Sequence, residues 1–316
     1  MNEIRKAAVI GAGIMGHGIA QLFAQAGISV SLNDSEQSNL NVGISKIDEN
    51  LKILVENGTL EKQRAEEALS RVRPVHLLRN AVIDADLVVE CAKEDLALKQ
   101  RLFEEIEAAA PIEAVVASNT SSLALSEIGV RVKRRSRLII THYFNPPHLV
   151  PIVEVVPNEF TDRRIVEGMC RFIIRIGKVP VPLKKPLPGF LVNRIQAAMV
   201  REILWIMEQD VAELADIDNA IRWTIGFRLA TMGPLELIDF GGLDTWLTLL
   251  QNVLPSLSDS KVPSTILSDK VARGALGTKS GQGFFEWGSG FPSRSTVERT
   301  RERDSNLTSL LNLLYK

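Results

Sequence analysis

The run Gly11-Ala-Gly-Ile-Met-Gly16 constrains the fold of this chain more than any other feature. It follows a short apolar run at 7–10. Apolar residues then recur at helical spacing at Ile19, Leu22, Phe23 and Ala26. Gly27 stops that helix, and Ile28, Val30 and Leu32 alternate as a second strand that ends near Asp34. Strand, glycine turn, helix and second strand form the opening of a right-handed parallel sheet. In such a turn Gly11 permits the tight bend, Gly13 lets a pyrophosphate approach the backbone, and Gly16 lets helix and strand pack closely. The pyrophosphate sits on the helix N-terminus, where free N–H groups and the helix dipole favour an anion. Asp34 is placed to accept hydrogen bonds from the adenosine ribose hydroxyls. It would repel a 2′-phosphate, so the pattern predicts NAD rather than NADP as cofactor.

Residues 36–80 are mostly helical and highly charged, too long for a simple crossover, and are expected to project as a helical hairpin turning at Gly58. Further strands are expected at 87–90, 114–118, 138–141, 152–156 and 179–183, with helices over 96–110, 125–129 and 163–176. Pro186, Pro188 and Gly189 mark a domain boundary. Beyond it no strand pattern appears. A long helix is expected over 191–207, a second capped by Asp216, and a third after Pro234 interrupted by Gly241 and Gly242. The fold class is therefore α/β, a Rossmann-type doubly wound sheet followed by an all-α domain. The expected division is an NAD-binding domain over 1–185 with the hairpin inserted at 36–80, a helical domain over 186–287, and a tail over 288–316 ending in a helix.

Lys and Arg number 37 and Asp and Glu 38 in 316 residues, so there is no strong global field. This argues against nucleic acid or a membrane surface as principal partner and for a small molecule. Cys91 and Cys170 lie in apolar stretches outside any metal-ligand spacing. They read as buried free thiols in a reducing compartment, and no metal site is expected. The segment Met-Asn-Glu-Ile-Arg-Lys is too short for a signal peptide, and no apolar run approaches the ~20 residues of a membrane span. A cytoplasmic protein is expected.

Two further residues carry chemistry. His142 lies in Thr-His-Tyr-Phe-Asn-Pro-Pro, at the end of an expected strand and beside the cofactor edge of such a sheet. Glu154 lies in Pro-Ile-Val-Glu-Val-Val, on the next strand. A hydroxyl that loses hydride must also lose its proton, and a neutral imidazole, with an ordinary pKa of ~6.5, can accept it. A carboxylate beside the ring would fix its tautomer and stabilise the imidazolium.

Around this pair stand Ser118-Asn119-Thr120-Ser121-Ser122-Leu123, Asn145-Pro146-Pro147, Pro188-Gly189-Phe190-Leu191-Val192-Asn193-Arg194, Gly233-Pro234-Leu235-Glu236 and Lys279-Ser280-Gly281-Gln282-Gly283-Phe284. With these motifs, in this order, the chain resembles the NAD-dependent L-3-hydroxyacyl-CoA dehydrogenase family over residues 5–287. The resemblance implies that His142 is the general base and Glu154 its partner. Ser121 would hydrogen-bond the reacting oxygen, and Asn193 would help hold the substrate carbonyl. Glu94, Lys99, Asn145 and Lys279 match cofactor-contacting positions. The helical domain would make most of a homodimer contact.

The family also sets a Ser and a Lys of the hairpin against the CoA adenine nucleotide. Here those positions fall near Asn50 and Asn57, with Lys46 and Lys52 as neighbours. The run Asn-Pro-Pro-His-Leu-Val-Pro is similar to a branch that includes carnitine and L-gulonate dehydrogenases and a lens crystallin. Three readings stay open. The leading one is a dehydrogenase of an L-3-hydroxyacyl-CoA such as 3-hydroxybutyryl-CoA. The second is a dehydrogenase of a free 3-hydroxy acid, and the third a crystallin-like NAD-binding protein without turnover.

Overall fold

The computed structural model describes residues 3–288 and 293–314. They divide into two compact units, one of 3–193 with 307–311 and one of 194–288 and 293–306 with 312–314.

The first unit begins with β1 (Lys6–Ile10), α1 (Ile14–Gln25), β2 (Ser29–Asn33), α2 (Gln37–Glu56), α3 (Lys62–Ser70), β3 (Val72–Val75) and α4 (Leu78–Val82). It continues with β4 (Leu87–Glu90), α5 (Leu96–Ala109), β5 (Val115–Ser118), α6 (Leu125–Ile128), β6 (Leu138–Tyr143), β7 (Ile152–Val156), α7 (Arg163–Arg175) and β8 (Val179–Pro182). One sheet runs β3-β2-β1-β4-β5-β6-β7-β8. The first six strands in that row are parallel, β7 is antiparallel to β6, and β8 is parallel to β7. This is the Rossmann-type order expected from the sequence, with two strands added at one end.

Strand alternation splits the core between the two faces. Ala7 and Val9 pack on one side with Ile19, Phe23, Leu40 and Phe172. Ala8 and Ile10 pack on the other with Val82, Phe103, Ile106 and Ile128. On β6, Leu138 and Ile140 belong to the second side, so His142, two residues further on, points there too. Two flanking helices start on aspartate caps: Asp95 accepts from the Leu98 amide at 2.8 Å, and Asp162 from the Arg164 amide at 2.8 Å.

The hairpin expected over 36–80 is shorter in the structure. Its helices are α2 and α3, and the chain then returns to the sheet as β3, paired in parallel with β2. The segment Val-Arg-Pro-Val shows no clean alternation because it is an edge strand, half exposed, where a proline is tolerated. The other edge is also rich in proline. On β8 the amides that face β7 belong to Val179 and to the following Leu183, which donate to Pro151 O and Val155 O. Pro180 and Pro182 therefore occupy the outward positions.

The second unit is helical: α8 (Val192–Glu208, beginning just inside the first unit), α9 (Leu214–Ile221), α10 (Phe227–Leu229), α11 (Pro234–Gly241), α12 (Leu243–Val253), α13 (Thr265–Ala272) and α14 (Arg294–Leu314, apart from 307–311). The change of unit falls after Asn193, later than the expected boundary at 185. Asp216 lies in the first turn of α9 rather than at its cap, which is Glu213. Among the described residues of this unit only Leu204 and Ile217 are buried apolar side chains, whereas Trp223, Phe227, Leu235, Phe240, Leu243 and Leu247 are exposed. Of the expected tail over 288–316, α14 is described, and residues 289–292, 315 and 316 lie outside the described residues. The cysteines are free, and both are half-buried rather than fully buried. Burial pushes both thiols up. No described helix is long and apolar enough to cross a membrane.

Candidate active site

The glycine turn joins β1 to α1. Gly11 has φ +103°, and a Cβ there would stand 2.8 Å from Cys91 O, so the position admits no side chain. Its amide donates to Asn33 O at 2.7 Å. A Cβ on Gly16 would lie 1.7 Å from Gly11 O, because the helix rests directly on its own turn. Gly13 is different: a Cβ there would meet no protein atom within 4 Å. It is the N-cap of α1 and offers no side chain to the helix's first amides. Free amides behind an open approach fit a pyrophosphate. Asp34 accepts from the Ala12 amide at 2.9 Å, the Glu36 amide at 3.0 Å and Asn39 Nδ2 at 3.1 Å. It thus ties the glycine turn to the start of α2, and one of its roughly four acceptor directions is left over.

His142 and Glu154 are direct partners across the antiparallel β6–β7 ladder. Nδ1 of His142 stands 2.8 Å from Glu154 Oε2, with the histidine 5% and the glutamate 0% exposed. The other oxygen, Oε1, accepts from the amides of Leu191 at 2.9 Å and Val192 at 3.0 Å. Burial alone would raise the Glu154 pKa. The His142 hydrogen bond and then the two amides outweigh it, and the net shift is downward. An ionised carboxylate only accepts, so Nδ1 carries the hydrogen and the Nε2 lone pair faces away from Glu154. Nε2 has no protein hydrogen bond among the described residues. The rings of Phe144 and Phe190 flank the imidazole at 4.4 and 5.5 Å. Phe190 has φ +50°, uncommon for an aromatic residue, and follows Gly189 at φ +76°. This left-handed pair bends the chain so that the next two amides point at Glu154.

A second polar cluster lies under the loop after β5. Glu90, at the end of β4, is fully buried. Its Oε1 accepts from Lys99 Nζ at 2.6 Å and the Ala92 amide at 2.7 Å, and its Oε2 from Ser118 Oγ at 2.6 Å. Lys99 also pairs with Glu94 at 3.3 Å. Glu94 accepts from the hydroxyls of Thr120 and Ser122. Burial opposes ionisation of Glu94, but these hydroxyls and then Lys99 outweigh it and hold its pKa below the ordinary value. Ser121 sits half-buried between Thr120 and Ser122. Asn119 Oδ1 accepts from the Tyr143 amide at 2.9 Å, which splices this loop to the residue after His142.

Of the residues expected to contact cofactor, the structure brings Glu94 and Lys99 together as an ion pair. Lys99 is only 1% exposed. Its charge faces two carboxylates, the buried Glu90 and the exposed Glu94. Asn145 is exposed, before a cis bond to Pro146. Pro147 rests on α1, where a Cβ at Gly18 would come within 2.6 Å of its ring. Asn193 is half-buried in the first turn of α8, beside the Val192 amide held by Glu154. Lys279 is exposed in the second unit, in the turn closed by the Gly277–Gln282 bridge.

Sequence reasoning missed Glu90, Ser118 and Lys178. Glu90 carries a signal, a charge closing the apolar run Leu-Val-Val. Lys178 carries none. It is 6% exposed and donates to the carbonyls of Val150 at 2.8 Å and His148 at 3.2 Å, and burial pushes its pKa down to about 8.

Residues 6–186 match the family model for the NAD binding domain of 3-hydroxyacyl-CoA dehydrogenase, and residues 189–287 the model for its C-terminal domain. A 3-hydroxybutyryl-CoA dehydrogenase of Bradyrhizobium diazoefficiens is 37% identical over 285 residues, covering 90% of this chain and 96% of that protein. A 5-formyl-3-hydroxy-2-methylpyridine 4-carboxylate 5-dehydrogenase of Mesorhizobium japonicum is 30% identical over 282 residues, covering 89% and 90%. A crystal structure of a 5-dehydrogenase of that pyridine carboxylic acid, described as an NAD+-dependent dismutase, superposes with TM-score 0.91 at 29% identity and covers 99% of both chains.

Proposed function

The chain belongs to the 3-hydroxyacyl-CoA dehydrogenase family, oxidoreductases that act on CH–OH with NAD, and on that premise we propose that it oxidises the 3-hydroxyl of an L-3-hydroxyacyl-CoA, such as 3-hydroxybutyryl-CoA, to the 3-keto form. The observation that carries this reading is the buried His142–Glu154 pair, with the imidazole tautomer fixed and Nε2 left to accept a proton.

Gly11, Gly13 and Gly16 shape the cradle for NAD, the first amides of α1 hold its pyrophosphate, and Asp34 receives the adenosine ribose. NAD supplies the acceptor for the hydride that leaves C3. His142 Nε2 takes the hydroxyl proton as that hydride departs, so the carbinol loses one proton and one hydride and becomes a ketone. Glu154 stabilises the resulting imidazolium across the 2.8 Å contact. Ser121 donates to the reacting oxygen, where charge develops. Asn193 orients the substrate carbonyl. In reduction the same imidazolium returns the proton.

A second reading is supported by the close superposition on a dehydrogenase of a pyridine carboxylic acid, namely a free carboxylate substrate. The hairpin also offers CoA little free charge. Asn50 donates to Gln21, and Lys46 and Lys52 pair with Glu49 and Asp48. Such exposed pairs are worth only ~0–1 kcal/mol, so a phosphate could displace them. NADH oxidation with acetoacetyl-CoA, run beside free acetoacetate and dehydrocarnitine, separates the readings. Turnover only with the CoA ester supports the first. Turnover only with a free acid replaces it by the second. No turnover with any of them, at saturating NADH binding, favours the crystallin-like reading.

A homodimer formed through the second unit is part of the proposal. A unit with two buried apolar side chains and such a set of exposed large ones has apolar surface that a second copy would cover. Sedimentation giving a monomer at micromolar concentration would refute it.

A further inference from the structure

We propose that the buried pair Glu90–Lys99 and the more exposed Glu94 act as one clamp that positions Ser121 toward the reacting oxygen, with Glu90 as its anchor. The inference deepens the proposed function and rests on its reading of Ser121.

The loop after β5 presents alternate hydroxyls to these carboxylates. Ser118 donates to Glu90, and Thr120 and Ser122 both donate to Glu94. Lys99 Nζ bridges the two carboxylates at 2.6 and 3.3 Å. The Thr120 hydroxyl is satisfied on its acceptor side too, taking the Ser122 amide at 3.3 Å and the Leu123 amide at 3.0 Å. Asn119 donates its amide to Glu90 O at 2.8 Å and receives the Tyr143 amide on its side chain. Residues 118, 119, 120 and 122 are thus each pinned by hydrogen bonds. Ser121 alone of this stretch has a hydroxyl with no protein partner among the described residues, and it is half-buried. A loop held on both sides of one residue gives that residue a fixed direction and leaves its own hydrogen bond for a ligand.

The charges explain why all three ionisable groups are needed. Glu90 is fully buried and would be intolerable as a lone anion. Lys99, equally buried, neutralises it. Glu94 then leaves the cluster one net negative charge, which the Thr120 and Ser122 hydroxyls solvate. Removing either carboxylate frees at least one hydroxyl to seek another partner, and removing Lys99 leaves the two carboxylates to repel one another beneath the loop that carries Ser121. Glu90 has no exposed surface, so it acts through Ser121 without touching substrate or cofactor. It is a positioning residue.

The test is a double-mutant cycle on kcat with acetoacetyl-CoA, using Glu90→Gln, Ser121→Ala and the double variant, with NADH binding followed by fluorescence. Ser121→Ala is expected to lower kcat by about 10²-fold. Glu90→Gln is expected to lower it by about tenfold or more, as loss of orientation does, with NADH affinity unchanged. In the Ser121→Ala background Glu90→Gln should cost less than about twofold, because nothing is left to position. A purely structural role predicts the same loss in both backgrounds, and that additivity overturns the clamp while leaving Ser121 catalytic. Weakened NADH binding in proportion to the lost turnover overturns it as well. A Ser121→Ala variant with wild-type turnover overturns the underlying reading of Ser121 itself, so the two failures are distinct. If Glu90→Gln does not fold, Ser118→Ala and Ser122→Ala, which each remove one hydroxyl, run the same cycle.

Discussion

Replacing Glu154 with Gln tests the tautomer argument at a single atom. The amides of Leu191 and Val192, at 2.9 and 3.0 Å, require an acceptor, so the Gln carbonyl oxygen stays with them. The Gln NH2 group must then face His142 Nδ1 at the former 2.8 Å contact. Two donors cannot share that contact. The ring answers by moving its hydrogen to Nε2, the atom that has to accept a proton. Restoring the productive tautomer leaves two buried donors opposed, at ~1–3 kcal/mol each. The imidazolium also loses its charge-assisted hydrogen bond, worth ~1.5–3 kcal/mol. Together these come to roughly 3.5–9 kcal/mol, which at ~1.4 kcal/mol per decade places the loss in kcat at about 300-fold or more, the low end falling within the 10²–10⁴-fold range expected for a general base. The assay is NADH turnover in both directions, with melting temperature and NADH affinity measured on the same protein. Both of the latter should stay close to wild type, since the three heavy-atom contacts survive. Glu154→Ala should instead lower stability, because it orphans two buried amides. A Glu154→Gln enzyme within about threefold of wild-type kcat would refute the reasoning, since that is well under one decade.

Gly13→Ala should fold with an unchanged melting temperature and weaken NAD by about tenfold or more, because its Cβ meets no protein atom and only the ligand's approach is blocked. Gly16→Ala should lower the melting temperature by several degrees, its Cβ being 1.7 Å from Gly11 O, as overpacking of ~1–3 kcal/mol requires. Thermal scans and NADH titration of both variants check the contrast. Glu94 and Glu154 have folded pKa values below the ordinary 4.5. Their stabilisation is therefore complete above about that pH and lost as pH falls through the folded values, and Glu154→Gln should unfold less steeply with acid than wild type in chemical denaturation. Lys178 titrates in the opposite sense of cost. Its pKa falls from 10.5 unfolded to about 8 folded, so the unfolded chain binds the extra proton between those values and stability should rise across that window, by up to about 3 kcal/mol. Lys178→Met should abolish the rise, and a wild-type stability curve flat over that window would contradict the assignment.

The sheet and the glycine turn were legible because they are local patterns: four or five apolar residues, then glycines at fixed offsets. The strand Val-Arg-Pro-Val was not, since only its pairing with β2 makes it a strand and its own residues carry no period. His142 and Glu154 were legible as a pair because neighbouring strands place them in register. The amides of Leu191 and Val192 on Glu154 were not, as they depend on a left-handed turn at Gly189 and Phe190 far along the chain. Lys99 shows the limit from the other side. On a helix read alone it is a matched motif position, and only the burial of Glu90 beneath it turns that position into an internal charge pair.

The prolines at the sheet's borders bear on what this protein can stick to. An exposed strand edge is a growing end: a neighbour's strand can add to it, and another to that. On β8 the outward positions are Pro180 and Pro182, which have no N–H to offer, and β3 at the opposite border carries Pro74. The row of eight strands is closed to extension without being curled into a barrel. Copies of this chain can therefore meet through side chains, which select their partners, but find little purchase along the main chain, which does not.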